Sequence, residues 1–321
     1  MIGSSETTRE SPLSFFETEK FNFDDFLDNH LPEQKTGVDT DFLEWFVGFV
    51  EGDGTFCSRL SNSTSAKQKD TIPVTVPTLK KCKPSNEASK KRRFLFQICQ
   101  KDPKVLHNIR TTLGFGRVHQ SGGNHWRYTI EDRRGLQRIM ALFNSNLVLP
   151  KRRRQFANWV KEAASIHHPS FALKQQENGP VVSLNTGWLS GFIDAEGCFY
   201  AHVTTRCGSK NLRLLQKMHI TQKDVCGDKE VLSRIGQLLQ SSAKLSQANE
   251  QNGYRIEVSS LTSHKILVDY LIRFPLYQKA VIGRRWWRVY LRRQKNDHLT
   301  ETGIRRLRRL CAAIKREKER G

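Results

Sequence analysis

The sequence predicts an α+β protein built from two pseudo-symmetric αββαββα repeats, on three observations. The run Phe46-Val47-Gly48-Phe49-Val50-Glu51-Gly52-Asp53-Gly54 returns as Leu189-Ser190-Gly191-Phe192-Ile193-Asp194-Ala195-Glu196-Gly197. Each copy is followed by strand-like and helix-like stretches in the same order, as expected of a duplicated unit. With 321 residues, the chain has room for two domains that each bury a core.

Each run reads apolar, small, Gly, apolar, apolar, acid, small, acid, Gly: a helix ending in carboxylates before a glycine able to stop it. In the first repeat, Asp39-Thr40-Asp41 offers an N-cap to a helix through Trp45 to Glu51. A strand from Thr55 to Leu60 follows. Residues 61–91, rich in Lys and Ser and broken by Pro73, Pro77 and Pro84, read as an inserted loop before a strand from Phe94 to Gln100. Next come a helix around Pro103 to Leu113, a hairpin with strands near Gly116 to Gln120 and His125 to Ile130, and a helix around Arg134 to Phe143. Pro150 opens a closing helix from Lys151 to about Ser165. The second repeat repeats the order: a helix from Thr186 to Asp194, strands Cys198 to Thr205 and Asn211 to Thr221, and a helix around Lys229 to Leu239. A hairpin near Ala243 to Ser259 and helices from Ser263 to Arg273 and onward from Gln278 complete it. The matching acids lie 143 apart and the matching glutamines Gln100 and Gln222 lie 122 apart, so the first copy carries an insertion, which 61–91 supplies.

The expected organisation is an acidic N-terminal extension over 1–38, a first repeat over 39–166, a linker over 167–184, a second repeat over 185–294 and a basic tail over 295–321. The phenylalanines of the extension leave docking on the body open, but the favoured reading is a partly ordered appendage. The net charge of +21 exceeds what solubility needs and calls for a polyanionic partner, nucleic acid ahead of an anionic membrane surface. No stretch reaches the roughly 18 apolar residues of a membrane span, and the N-terminus lacks the order of a secretory signal, so a soluble intracellular protein is expected. Seven cysteines without a C-x-x-C pair argue for reduced thiols and against a zinc site.

The paired runs and the landmarks after them resemble the LAGLIDADG homing endonucleases of the monomeric, two-repeat type. The resemblance implies that the two motif helices pack side by side, which Gly48 with Gly52 and Gly191 with Ala195 permit because residues four apart share a helix face. It implies further that antiparallel sheets form a DNA-binding saddle. It carries the metal-binding position to Asp53 and Glu196, with the carbonyls of Gly52 and Ala195 as further ligands, and gives Glu51 and Asp194 structural contacts. Two carboxylates held together call for a cation, and oxygen ligands suit Mg²⁺, with Ca²⁺ expected to bind without supporting cleavage. Gln100 and Gln222 match the family's water-ordering strand ends. Lys151 and Lys279 match the base that begins the last helix, although Arg152, Arg153 and Arg154 after Lys151 leave a register slip open. All six side chains are catalytic candidates.

Alternating strands would offer Arg59, Gln97, Arg117, His119, Arg127, His202, Thr204, Arg206, Arg213, Lys217, Gln247 and Arg255 to DNA base edges or phosphates. The arginine-rich C-terminal stretch would add phosphate affinity, with at least one of Trp286 and Trp287 in the core. The reading is a monomeric, Mg²⁺-dependent double-strand DNA endonuclease cutting a long asymmetric site. It would be intron-encoded, in an organelle if so. The alternative is an RNA-binding maturase acting on intron RNA, alone or in addition.

Overall fold

The structure, a computed structural model, describes residues 20–28, 37–60, 92–167, 179–205, 212–241, 246–248 and 253–320. The expected insertion at 61–91, most of the linker, residues 1–19 and 29–36 of the extension, and Arg206 lie outside the described residues.

A short α1 (Asp24–Asp28) precedes α2 (Thr40–Asp53), which passes without a loop into β1 (Gly54–Leu60). The first repeat continues with β2 (Arg92–Gln100), α3 (Pro103–Leu113), β3 (Arg117–Gln120), β4 (Trp126–Ile130), α4 (Arg133–Phe143) and α5 (Pro150–His167). The second holds α6 (Trp188–Glu196), β5 (Gly197–Thr205), β6 (Leu212–Lys223), α7 (Asp228–Leu238), β7 (Ser246–Ala248), β8 (Gly253–Val258), α8 (Leu261–Arg273) and α9 (Ala280–Gln294). α10 (Glu301–Arg320) follows. Helix starts obey local chemistry: the side chains of Asp39, Asp102, Asp132 and Ser260 each accept a bond from a backbone N–H of the helix they precede.

Each repeat forms one antiparallel four-stranded sheet, ordered β1-β2-β4-β3 and β5-β6-β8-β7. Phe56, Phe96, Ile98, Tyr128 and Ile130 bury one face of the first sheet, and Phe199, Met218, Ile220, Ile256 and Val258 bury the matching face of the second. Aromatic rings lock the first core, with Phe56 at 5.4 Å from Trp159 and Phe96 at 5.8 Å from Phe143. In the second, Trp286 lies in the core, its indole N–H donating to the carbonyls of Tyr200 and Lys217, as expected of one of the tryptophan pair.

The two halves meet along α2 and α6, backbone against backbone. A methyl group placed on Gly48 would lie 2.0 Å from the Trp188 carbonyl oxygen, and one on Gly191 would lie 1.8 Å from that of Trp45. The glycines are therefore required by close approach. The same cause applies at the helix ends. Gly54 and Gly197 end the helices as expected, with extended backbones, and a Cβ there would come within 2.7 Å and 2.6 Å of the carbonyls of Val50 and Ile193.

The two ends of the chain take more definite form than their composition suggests. Phe23 and Phe26 are buried against the body, Arg138 stacks 4.3 Å over the Phe26 ring, and the Asn22 backbone and Asn146 side chain exchange two hydrogen bonds, so this part of the extension docks. The C-terminal stretch read as a basic tail is largely a helix, because Leu307, Cys311 and Ile314 recur at helical spacing and bury against β5 and α9.

Candidate active site

Because α2 and α6 run in register, their last residues, Asp53 and Glu196, finish side by side at the seam. Burial is the largest influence on the Asp53 carboxyl and raises its pKa; the hydrogen bond from Gln100 opposes this and the Glu196 charge adds to it. Gln100 Nε2 holds the Asp53 carboxylate at 2.7 Å.

The acids two positions earlier stitch the halves together. Trp45 Nε1 donates to Asp194 at 2.9 Å, and Trp188 Nε1 donates to Glu51 at 2.5 Å: the same bond made twice across the seam. Asp194 also accepts from the backbone N–H groups of Tyr277, Gln278 and Lys279, and Glu51 from that of Leu149. Both acids are fully buried, in agreement with the structural contacts that the resemblance implies for Glu51 and Asp194.

Burial pushes the Glu51 carboxyl up to about 7 from 4.5, against the bonds from Leu149 and Trp188 and the charge of Arg152. The unfolded chain releases this proton at lower pH than the native one, so stability is present below the ordinary value and lost as pH rises. Glu51 alone is expected to remove on the order of 3 kcal/mol between pH 4.5 and about 7. Urea midpoints should therefore fall across that window, and fall less steeply in Glu51→Gln; equal slopes would contradict it.

Helix C-termini carry partial negative charge, and here two carboxylates add to it. Two cations answer from symmetry-related places. Lys279 Nζ donates to the carbonyls of Ile193, Ala195 and Gly197, and Arg152 donates to those of Glu51, Gly52 and Gly54. Burial lowers the Lys279 pKa, while Asp194, Asp53 and Glu196 hold it up. Arg152, rather than Lys151, is thus the counterpart of Lys279, and the register slips by one residue.

Lys151 instead matches Gln278, and each reaches the strand-end glutamine of the opposite repeat. Lys151 Nζ lies 2.5 Å from Gln222 Oε1 and 3.6 Å from the buried Asp228, while Gln278 Nε2 donates to Gln100 at 2.7 Å. Arg152 falls within the register slip left open by the basic run after Lys151, whereas no local pattern points to Gln278 or Asp228. The tryptophans were available: Trp45-x-x-Gly48 and Trp188-x-x-Gly191 place one indole at the same point of each copy.

Among the described residues no cluster of three or more His, Cys, Asp or Glu side chains forms. Two carboxylates with amide and carbonyl oxygens nevertheless form a hard-oxygen set, suited to a cation that completes its shell with water and substrate oxygens, as Mg²⁺ does. The Gly52 and Ala195 carbonyls each accept a cationic side chain and keep a second lone pair. Gln278 Oε1, next to Gln100, is buried and accepts no hydrogen bond among the described residues, an acceptor in keeping with the hard-oxygen set.

The strand register puts Arg59, Gln97, Arg127, Arg117 and His119 on the face of the first sheet away from its core: Gln97 pairs with Thr129 and Thr129 with Arg117, while Arg127 pairs with His119. His202, Thr204, Arg213, Lys217 and Arg255 share the corresponding face of the second sheet. Lys217 is paired with Glu257 at 2.8 Å, and Arg255 donates to Thr221. Gln247 departs from the expectation: its backbone pairs with Tyr254, one register step from the row that carries Arg255, which places the position on the other face of the sheet.

A family model described as LAGLIDADG endonuclease matches residues 46–163 and 189–289. A relative from Neurospora crassa named "Probable intron-encoded endonuclease 4" is 28% identical over 260 residues, which cover 78% of this chain and 40% of the relative. An "Uncharacterized cox1 intron-2 37.2 kDa protein" of Schizosaccharomyces pombe is 23% identical over 290 residues, covering 87% of this chain and 75% of the relative. Among solved structures, meganuclease I-SmaMI bound to uncleaveable DNA superposes with a TM-score of 0.65 at 16% identity, covering 84% of this chain and 95% of that one. The I-LtrWI LAGLIDADG homing endonuclease bound to target DNA gives 0.65 at 17% identity, covering 85% and 97%.

Proposed function

The chain belongs to the LAGLIDADG endonuclease family, and from that premise we propose that it is a site-specific double-strand DNA endonuclease, acting as a monomer on a long asymmetric target. The observation that carries the reading is the carboxylate pair Asp53 and Glu196, set on adjoining helix ends between two open sheets in a chain of net charge +21. Names among the relatives favour the nuclease over the RNA-splicing alternative, and a cox1 intron relative supports expression from an organellar intron.

Asp53 and Glu196 would hold divalent cations, with Mg²⁺ the proposed cofactor. Bound there, the cation supplies an activated water and neutralises charge at the scissile phosphate. Gln100 holds one oxygen of the Asp53 carboxylate and so limits its rotation. Arg152 and Lys279 offset the charge of the helix ends, which lets two acids and a phosphate share one place. Lys151, part-exposed and held by Asp228, would neutralise charge developing on one strand's phosphate. The bases on the outer sheet faces would read the major groove on either side. The structure of I-SmaMI bound to uncleaved DNA target in the presence of calcium ions supports the proposal that Ca²⁺ binds here without cleavage.

The test begins with wild-type protein, Mg²⁺ and a randomised duplex library, which yields the target. Asp53→Asn and Glu196→Gln are then expected to bind that target within a few-fold of wild type and to lose on the order of 10³-fold in cleavage rate. Undiminished cutting by both variants would remove the site.

A further inference from the structure

α10 is not used by the reading above. It spans 20 residues, about 30 Å, and lies over β5, the edge strand of the second sheet. It holds eight basic residues against three acidic ones. Two of those acids are spoken for: Glu317 pairs with Arg285, and Glu319 with Lys315. Arg305, Arg306, Arg308, Arg309 and Arg316 are exposed. At about 100° per residue, Arg305, Arg309 and Arg316 fall within a narrow outward stripe, with spacings of about 6 Å and 10 Å along the axis. The inner end of α10 is joined to the candidate active site, since Glu317 and Lys318 line one cavity of about 390 Å³ with Gln278 and Lys279.

We propose that the outward stripe Arg305, Arg309 and Arg316 is a second DNA-contacting surface, which binds the phosphate backbone of the duplex beside the second sheet. The inference rests on the nuclease reading for its ligand, since the cavity at the end of α10 is lined by Gln278 and Lys279, and Lys279 senses the charges of Asp53 and Glu196. A membrane surface is a poor fit, because Leu307, Cys311 and Ile314 are already buried in the fold and no apolar face is left to insert. The contact is with phosphates and carries no base preference. The added contact lies beside the second sheet, and among the described residues no helix falls between α5 and α6.

The experiment measures binding of the full chain to a fluorescent, mixed-sequence duplex of about 40 base pairs in Ca²⁺, over a range of salt, for wild type and the triple variant Arg305→Gln, Arg309→Gln, Arg316→Gln. Three lost phosphate contacts should flatten the logarithmic salt slope by about 2 to 3 and weaken binding roughly 10–100-fold near 0.15 M salt. The triple Lys variant should restore the slope, which separates charge from any loss of helix. Single-turnover cleavage of the target at saturating protein should stay within about twofold of wild type. Asp53→Asn should do the reverse, losing on the order of 10³-fold in cleavage rate with the slope unchanged, so failure of the nuclease reading is distinguishable. A wild-type slope in the Gln variant overturns the proposal, as does a loss confined to single-stranded RNA of the same length.

Discussion

Gly191→Ala is expected to destabilise the chain by about 4 kcal/mol or more and to leave little folded protein. The added methyl would stand 1.8 Å from the Trp45 carbonyl oxygen and 2.8 Å from the Phe49 nitrogen. Both obstacles are backbone, so no side-chain rotation relieves them. The helices would have to part by more than an ångström, and parting them breaks the bonds from Trp45 to Asp194 and from Trp188 to Glu51. Typical domains have only about 5–15 kcal/mol in total, so one methyl removes a large share. Gly236→Ala is the control: it sits within α7, its nearest neighbour would be the Ile256 Cγ2 at 3.6 Å, and alanine there should be neutral or gain a few tenths of a kcal/mol. Denaturant midpoints for the two variants decide the matter. A wild-type midpoint for Gly191→Ala would mean the halves do not touch through their backbones.

Asp194→Ala carries the second large effect, about 3–5 kcal/mol. The carboxylate accepts from Trp45 Nε1 at 2.9 Å and from the backbone N–H groups of Tyr277, Gln278 and Lys279 at 2.7, 3.2 and 2.7 Å. Removing it takes the shared acceptor from four donors at a point where Asp194 itself is fully buried, and takes away the foremost charge that opposes the burial of Lys279. Asp194→Asn keeps one oxygen and should fall between wild type and alanine. Urea titrations of the three proteins give the order, and an alanine variant within about 1 kcal/mol of wild type would contradict the account.

The architecture was legible because its causes are local and occur twice. Aspartate or serine caps, Gly-rich turns and period-two strands name most elements, and glycines four apart on two helices announce a close crossing. Helix starts moved by two residues at the second motif, where Gly187 rather than a side chain precedes α6 and Glu44 of the other half accepts its N–H at 2.7 Å. No local rule could supply a partner 143 residues away. The same reason hid Arg152. Pro150-Lys151-Arg152 and Tyr277-Gln278-Lys279 align equally well in two registers, and only the three carbonyls capped by each cation separate them. α10 was missed for a different cause: its arginines dominate the composition, and its apolar stripe of Leu307, Cys311 and Ile314 is sparse enough to pass as a tail.

The crossed indole bonds have a consequence for folding. Each half carries a tryptophan N–H whose acceptor belongs to the other, so neither is complete by itself. The seam has the self-complementary logic of an isologous dimer whose subunits share one polypeptide. Damage to either acid is felt by both copies, and the two should melt in a single cooperative transition.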